Sequence, residues 1–95
     1  MAISKVYKFK ADVWLWPGVG GWHFINVPEK MSTEIRDRYG KGMIKIKARV
    51  KGEKWDTSLF PHKKSKGYLL CLKSSVRKKV GIYENDTIDV SFLVQ

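Results

Sequence analysis

Four cations at every second position are the most distinctive chemistry in this 95-residue chain: Lys45, Lys47, Arg49 and Lys51 alternate with Ile44, Ile46, Ala48 and Val50. An extended strand would hold those cations on one face, about 7 Å apart, a comb suited to successive phosphates of a nucleic-acid strand. The plainer alternative is the wet face of an amphipathic strand. His62, Lys63 and Lys64 form a second cationic group, in a polar loop able to grip phosphate or sulfate. Arg77 and Lys78 form a third, in the last turn of a short helix. Trp14 lies in the first strand and Trp16 just beyond its end. Trp14 is on its polar side with Lys8, Lys10 and Asp12, where an aromatic ring can serve as a platform for a base. Trp16, next to Pro17, also suits a lid on the fold, and Trp22 and Trp55 are expected to fill the core.

Other chemistries find less support. Cys71 sits between Leu70 and Leu72, where a thiol is buried and inert rather than an activated nucleophile. His23, His62 and that one cysteine are too few and too scattered to hold zinc, so no metal is expected. Glu84, Asp86 and Asp89 fall at a turn and a strand start, where Asp86 serves backbone amides rather than acid-base catalysis. Gly18, Gly20 and Gly21 precede no long helix and read as a hairpin turn, not a nucleotide loop. Neither a catalytic constellation nor a cofactor site emerges.

Formal net charge is +10, and it is unevenly placed. Residues 41 to 79 hold thirteen Lys/Arg against Glu53 and Asp56, whereas residues 80 to 95 carry only acids. Such a patch concentrates anionic partners and makes their binding salt-dependent without choosing among them. A single cysteine excludes an intrachain disulfide and fits a reducing cytoplasm. The basic first segment has no apolar signal-like run, and no window is apolar enough to span a bilayer, so neither export nor membrane insertion is expected.

The elements that must position these residues follow from periodicity. Val6 to Leu15 alternates, with Tyr7, Phe9, Ala11, Val13 and Leu15 inward, and Trp22 to Val27 resumes after the glycine turn as its hairpin partner. A short helix follows Pro28, capped by Ser32 or Thr33, carrying Ile35 and Tyr39 on one face and ended by Gly40. Met43 to Val50 and Lys54 to Phe60 form a second hairpin around Gly52-Glu53, which Pro61 closes. Tyr68 to Leu72 is a buried strand. A brief helix capped by Ser74 or Ser75 then brings Val76 and Val80 onto one face and stops at Gly81. Ile88, Val90, Phe92 and Val94 alternate in the last strand.

The blocks Gly21 to Pro28 and Thr57 to Pro61, with Gly52, Trp55, Lys64, Gly67-Tyr68-Leu69-Leu70, Val76-Arg77-Lys78, Ile82, Asp86, Ile88 and Val90, closely resemble the domain of unknown function nineteen-oh-five family. The resemblance implies a small β-barrel with short helices, found alone or joined to a bacteriocin-protection type domain, and carries no assigned residues. Cys71 stands where that family usually has proline, and Asn85 where it usually has glycine; Asn tolerates the left-handed turn conformation. A shorter stretch, from Leu72 to Val90, resembles swapped-hairpin DNA-binding regulators of the antitoxin type, over about one fifth of the chain; physically it is strand, capped helix, turn and strand.

The expectation is therefore a single all-β domain over residues 1–95: a mainly antiparallel, closed or half-closed small barrel of about six or seven strands with two short helices. Its expected role is a non-enzymatic binding module for an anionic partner, nucleic acid before other polyanions. The alternatives are protein interaction or self-association, and a small-ligand barrel with weak catalysis.

Overall fold

The computed structural model describes residues 5–95; residues 1–4 of the expected domain lie outside the described residues. Seven strands and two helices follow in the order β1 (Val6–Asp12), β2 (Trp14–Leu15), β3 (His23–Asn26), α1 (Glu29–Tyr39), β4 (Ile44–Val50), β5 (Glu53–His62), β6 (Gly67–Cys71), α2 (Ser74–Val80) and β7 (Thr87–Val94). All pairings are antiparallel, in the sheet order β1-β7-β4-β5-β6-β3-β2. The fold is a mostly antiparallel half-barrel, as the periodicity predicts.

The edges of this sheet are consecutive pieces of chain. Val13 alone separates β1, at one edge, from β2, at the other. Its N–H donates to Asp86 O and its carbonyl accepts from the Asn85 N–H, both at 2.8 Å, and its side chain is buried. One strand over Val6 to Leu15 was expected to fold back on Trp22 to Val27; the bend instead sends β1 to β7, through Val6↔Leu93 to Asp12↔Thr87. Only Trp14 and Leu15 keep the expected pairing, with Phe24 and His23. Past the bend Leu15 loses its inward position and is exposed.

Inside the curl, alternate residues of the strands form one core: Tyr7 from β1, Ile46 and Ala48 from β4, Trp55 and Leu59 from β5, Tyr68 and Leu70 from β6, and Val90 and Phe92 from β7. Burial on one face per strand drives this layering, at roughly 25 cal/mol per Å² of apolar surface removed from water. Ile35 of α1 and Val76 of α2 close the core from outside the sheet.

Several boundaries differ from the sequence reading. Helix α1 begins directly after Pro28, so Ser32 and Thr33 are internal and cap nothing. Ser32 is fully buried, where its Oγ donates to Val27 O at 3.3 Å and accepts from the Tyr68 N–H at 3.2 Å. Helix α2 has Lys73 at its N-cap, without a side-chain cap, and Ser74 and Ser75 lie within it. Pro61 does not end β5: it pairs with Tyr68, beyond the last β4 contact at Ile44↔Leu59, so the missing N–H can fall on a free edge. The β4–β5 turn is Lys51-Gly52, both at positive φ, which suits the twist of a two-residue hairpin. Lys51 therefore leaves the strand comb, and its Nζ donates to Val80 O at 3.3 Å.

Tyr7 links β1 to α1. Its buried ring stacks on Phe92 with centroids 5.2 Å apart, and its hydroxyl donates to Glu34 Oε2 at 2.9 Å, an oxygen also paired with Lys5 at 2.6 Å. Burial first, and then the Glu34 hydrogen bond, push the Tyr7 hydroxyl well above the usual tyrosine range. The hydrogen bonds from Lys5 and Tyr7 hold the Glu34 carboxyl below its usual value.

Two predictions follow from this packing. A tyrosine whose folded pKa is raised contributes stability that is complete below the unfolded value of about 10 and is lost progressively as pH climbs from there through the folded value. Thermal melts from neutral to strongly alkaline pH are expected to fall more steeply for the wild type than for Tyr7→Phe above about pH 10; parallel curves would refute the assignment. A Cβ on Gly67 would stand 2.7 Å from Ser32 Oγ and 3.1 Å from Ser32 Cβ. Gly67→Ala is expected to lower unfolding free energy by about 1–3 kcal/mol. An unshifted denaturation midpoint would mean that α1 does not sit this tightly on β6.

Candidate functional site

The pairing of β1 with β7 and of β7 with β4 produces a cationic surface that no single segment encodes. On the outer face Lys8, Ser91, Arg49 and Lys54 line up across four adjacent strands, through Lys8↔Ser91, Arg49↔Ser91 and Arg49↔Lys54. Strands are spaced about 4.8 Å apart, which puts the backbones of Lys8 and Arg49 about 10 Å from each other. Ser91, short and half-buried, forms the floor between longer cationic side chains. The result is an open trough of about 500 Å³, walled by Lys8 and Lys10 on one side and by Arg49 and Lys51 on the other. Asp89, opposite Lys10, is its one acid.

The trough cations lack carboxylate partners among the described residues. The ion pairs there are Lys5–Glu34, Lys47–Asp56 at 3.8 Å and Lys79–Glu53 at 3.2 Å. Lys47 of the comb is thus turned toward Asp56, its cross-strand neighbour, while Arg49 faces the trough. Lys45 is exposed opposite Ser58. Like charges gathered on one face repel one another, and a multivalent anion relieves that repulsion.

A second surface lies farther along β5. Trp14 pairs with Phe24, and their rings are 5.5 Å apart; Trp16 lies 5.7 Å from Trp14 and 5.5 Å from Phe24. The His62 ring joins them at 6.4 Å from Trp14 and 6.3 Å from Trp16, with Nδ1 2.8 Å from Ser65 Oγ. Leu69 is buried yet stands outside the core cluster; the register sets it between Phe60 and Asn26, under these rings. Trp14 Nε1 donates to Asn26 Oδ1 at 2.6 Å, which fixes that ring in place. Trp16, Trp22, Phe24 and Phe60 line a shallow groove of about 310 Å³. Phe60 lies six residues from Lys54 on the same face of β5, about 20 Å away.

Trp22 corrects the sequence reading: it is 56% exposed and outside the core, because β3 begins only at His23 and Trp22 still belongs to the glycine loop. Trp55 takes the expected core position. Trp14 is on the outer face as expected, but the Val13 bend carries it away from Lys8 and Lys10 and into the aromatic group.

The nine cations and imidazoles singled out from the sequence do not form one patch. Arg49 and Lys51 line the trough; His62 belongs with the aromatic rings, with Lys63 and Lys64 exposed in the loop that follows. Arg77 donates from Nε to Leu72 O at 3.1 Å and is thereby occupied within the fold, while Lys78 is exposed on α2. Sequence reasoning left out Lys8, Lys10 and Lys54 as binding residues. The signal was there in their alternation with Tyr7, Phe9 and Trp55, but nothing local says that β1 and β4 flank the same strand. Cys71, expected to be buried, is only partly so, because its place in β6 puts its side chain on the outer face opposite Phe24; the burial that it has pushes its thiol up, with Arg77 pulling the other way, which disfavours the reactive thiolate. No group of three or more metal-ligating side chains, and no helix long and apolar enough to cross a membrane, occurs among the described residues.

A search among curated proteins gave no match for the chain. A family model does match, over residues 9–92, which takes in every strand that forms the trough and the aromatic groove, apart from the ends of β1 and β7. The chain belongs to the family described as Domain of unknown function (DUF1905).

Proposed function

We propose that this domain is a non-enzymatic module that binds single-stranded nucleic acid in the cytoplasm, with phosphates in the trough over Ser91 and bases on the aromatic groove. The observation that carries the reading is the juxtaposition of Lys8 and Lys10 of β1 with Arg49 of β4 and Lys51 of the turn after it, four cations from two separate segments around one open trough with a single acid. Cations that already faced carboxylates would gain little from phosphate. These four lack such partners among the described residues, so releasing condensed counterions from a nucleic acid provides the driving force.

The aromatic groove favours a single strand over a duplex. Trp16 and Phe60 are 40% and 37% exposed, and flat exposed rings stack on bases only where the bases are unpaired. The trough and the groove are about 20 Å apart along β5, a distance that an extended strand of a few nucleotides covers. Lys63 and Lys64, in the loop after the His62 ring, suit phosphates at the groove end.

A protein partner, or a second copy, on the aromatic groove is the second reading, favoured by the same exposed rings. Sedimentation separates the two: a concentration-dependent mass that Trp16→Ala abolishes supports self-association, and a monomer at all concentrations removes it.

Tryptophan fluorescence titrated with an oligothymidine of about twelve nucleotides, and with duplex of equal length, tests the main reading at about 50 and 200 mM salt. Micromolar binding that prefers the single strand and weakens steeply with salt is expected. Combined Lys8→Glu and Arg49→Glu is expected to weaken it at least about tenfold and to flatten the salt dependence, while Lys41→Glu, outside both surfaces, has little effect. Absence of binding at the lower salt, or equal affinity in the double variant, would overturn the reading.

A further inference from the structure

Between β5 and β6 the barrel wall parts. Their ladder ends at Leu59↔Leu70, and β5 continues back to Glu53 with β4 as its one neighbour in the sheet. Across the gap the chain leaves β6 at Cys71 and enters α2 at Ser74. A slot of about 310 Å³ remains, with Trp22 and Phe60 at its mouth and Trp55, Cys71, Leu72 and Ser74 among its walls. That volume lies at the lower end of small-molecule sites.

One wall is chemically incomplete. Trp55 is 8% exposed, and its Nε1–H is the one buried side-chain polar atom without a hydrogen-bond partner among the described residues. An indole N–H can only donate. Buried donors are normally satisfied, and Trp55 is one of the residues that line the slot, so its orphan N–H, itself closed to solvent, points to a missing acceptor. Trp14, by contrast, has its indole N–H satisfied by Asn26.

We infer that the slot binds a small planar ring carrying an in-plane acceptor, a carbonyl oxygen or ring nitrogen of the lactam or nucleobase kind, which accepts the Trp55 Nε1–H. The flat body lies between Trp22 and Phe60, whose exposed rings supply apolar faces. The Trp55 N–H is covered in the unliganded fold, and Trp22 is the wall that shifts to admit the ring. It is more than half exposed, lies outside the core cluster, and its indole rests on Gly20 of the glycine loop rather than on a core side chain. The slot shares no residue with the cationic trough, but it shares Trp22 and Phe60 with the aromatic groove, so it extends the proposed base-binding surface inward, and its ligand need carry no charge.

Nuclear magnetic resonance of the full chain, with its tryptophan indoles labelled with nitrogen-15, provides the test. Uracil, adenine, nicotinamide and benzamide are the probes, each at about 5 mM, with toluene as the ring that lacks an acceptor. At least one acceptor-bearing probe is expected to move the Trp55 indole N–H downfield while the Trp14 signal stays, and toluene is expected to leave both in place. Trp22→Ala, at an exposed position that the fold does not need, is expected to weaken that binding at least about fivefold. Combined Lys8→Glu and Arg49→Glu is expected to leave it unchanged, which keeps this inference distinguishable from nucleic-acid binding in the trough. A short oligothymidine in a parallel arm identifies the source: a Trp55 shift with free uracil assigns a free ring, and a shift with the oligonucleotide alone assigns a base carried on a strand. If neither the probes nor the oligonucleotide moves the Trp55 signal, or if toluene moves it equally, the inference is wrong.

Discussion

Everything in this fold depends on the bend at Val13. A strand that carried straight on from Tyr7 to Leu15 would leave β1 and β2 in one ladder, and the two ends of the sheet could not be consecutive pieces of chain. The two backbone hydrogen bonds of Val13 to Asp86 and Asn85 instead tie the bend to the turn that starts β7, and its buried side chain anchors it in the core. β1 can then pair with β7 while β2 pairs with β3 at the far edge. Asn85 takes part because it sits at φ 72°, a left-handed conformation that asparagine tolerates better than most residues. Curling the sheet in this way makes its two edge strands, β1 and β2, consecutive pieces of chain.

The same bend sorts the outer surface by chemistry. Residues before Val13 put lysines on the β7 side of the barrel, and residues after it put tryptophans on the β3 side. β5 runs between the two, passing from Lys54 through Asp56 and Ser58 to Phe60 and His62 on its outer face. A ligand with charged and flat parts meets both chemistries along one strand. Electrostatic attraction at the cationic end acts over about a Debye length, and stacking at the other acts only on contact. Long-range capture and short-range selection are thereby separated in space.

Loops and caps illustrate a different balance. Ser32, a residue type suited to a helix cap, is used instead as a buried bridge between Val27 and Tyr68, and it fits there because Gly67 presents no Cβ. Pro28 opens α1 in its place, with φ already near the helical value. Trp22, a residue type suited to the core, stays outside because the chain does not re-enter the sheet until His23. In each case local preference yields to where the chain must go next.

The strand comb of Lys45, Lys47 and Arg49, the Tyr68 to Leu70 core strand, the alternation of β7, the glycine stops of both helices and the left-handed Asn85 are all written in residue type and spacing, because each depends on backbone geometry within a few residues. The family could be recognised for the same reason: its motif is a pattern of local positions. Which strands become neighbours is not local. Lys8 and Arg49 are 41 positions apart in the chain and reach one trough only because β7, the last strand, lies between β1 and β4. Val13 reads as one more inward residue of an alternating strand until the folded sheet shows the chain passing there from one edge to the other. Sequence alone therefore determined the strands, their wet and dry faces and the excess of positive charge; tertiary structure decided which faces meet, because the order of strands in the half-barrel is set by the whole sheet at once.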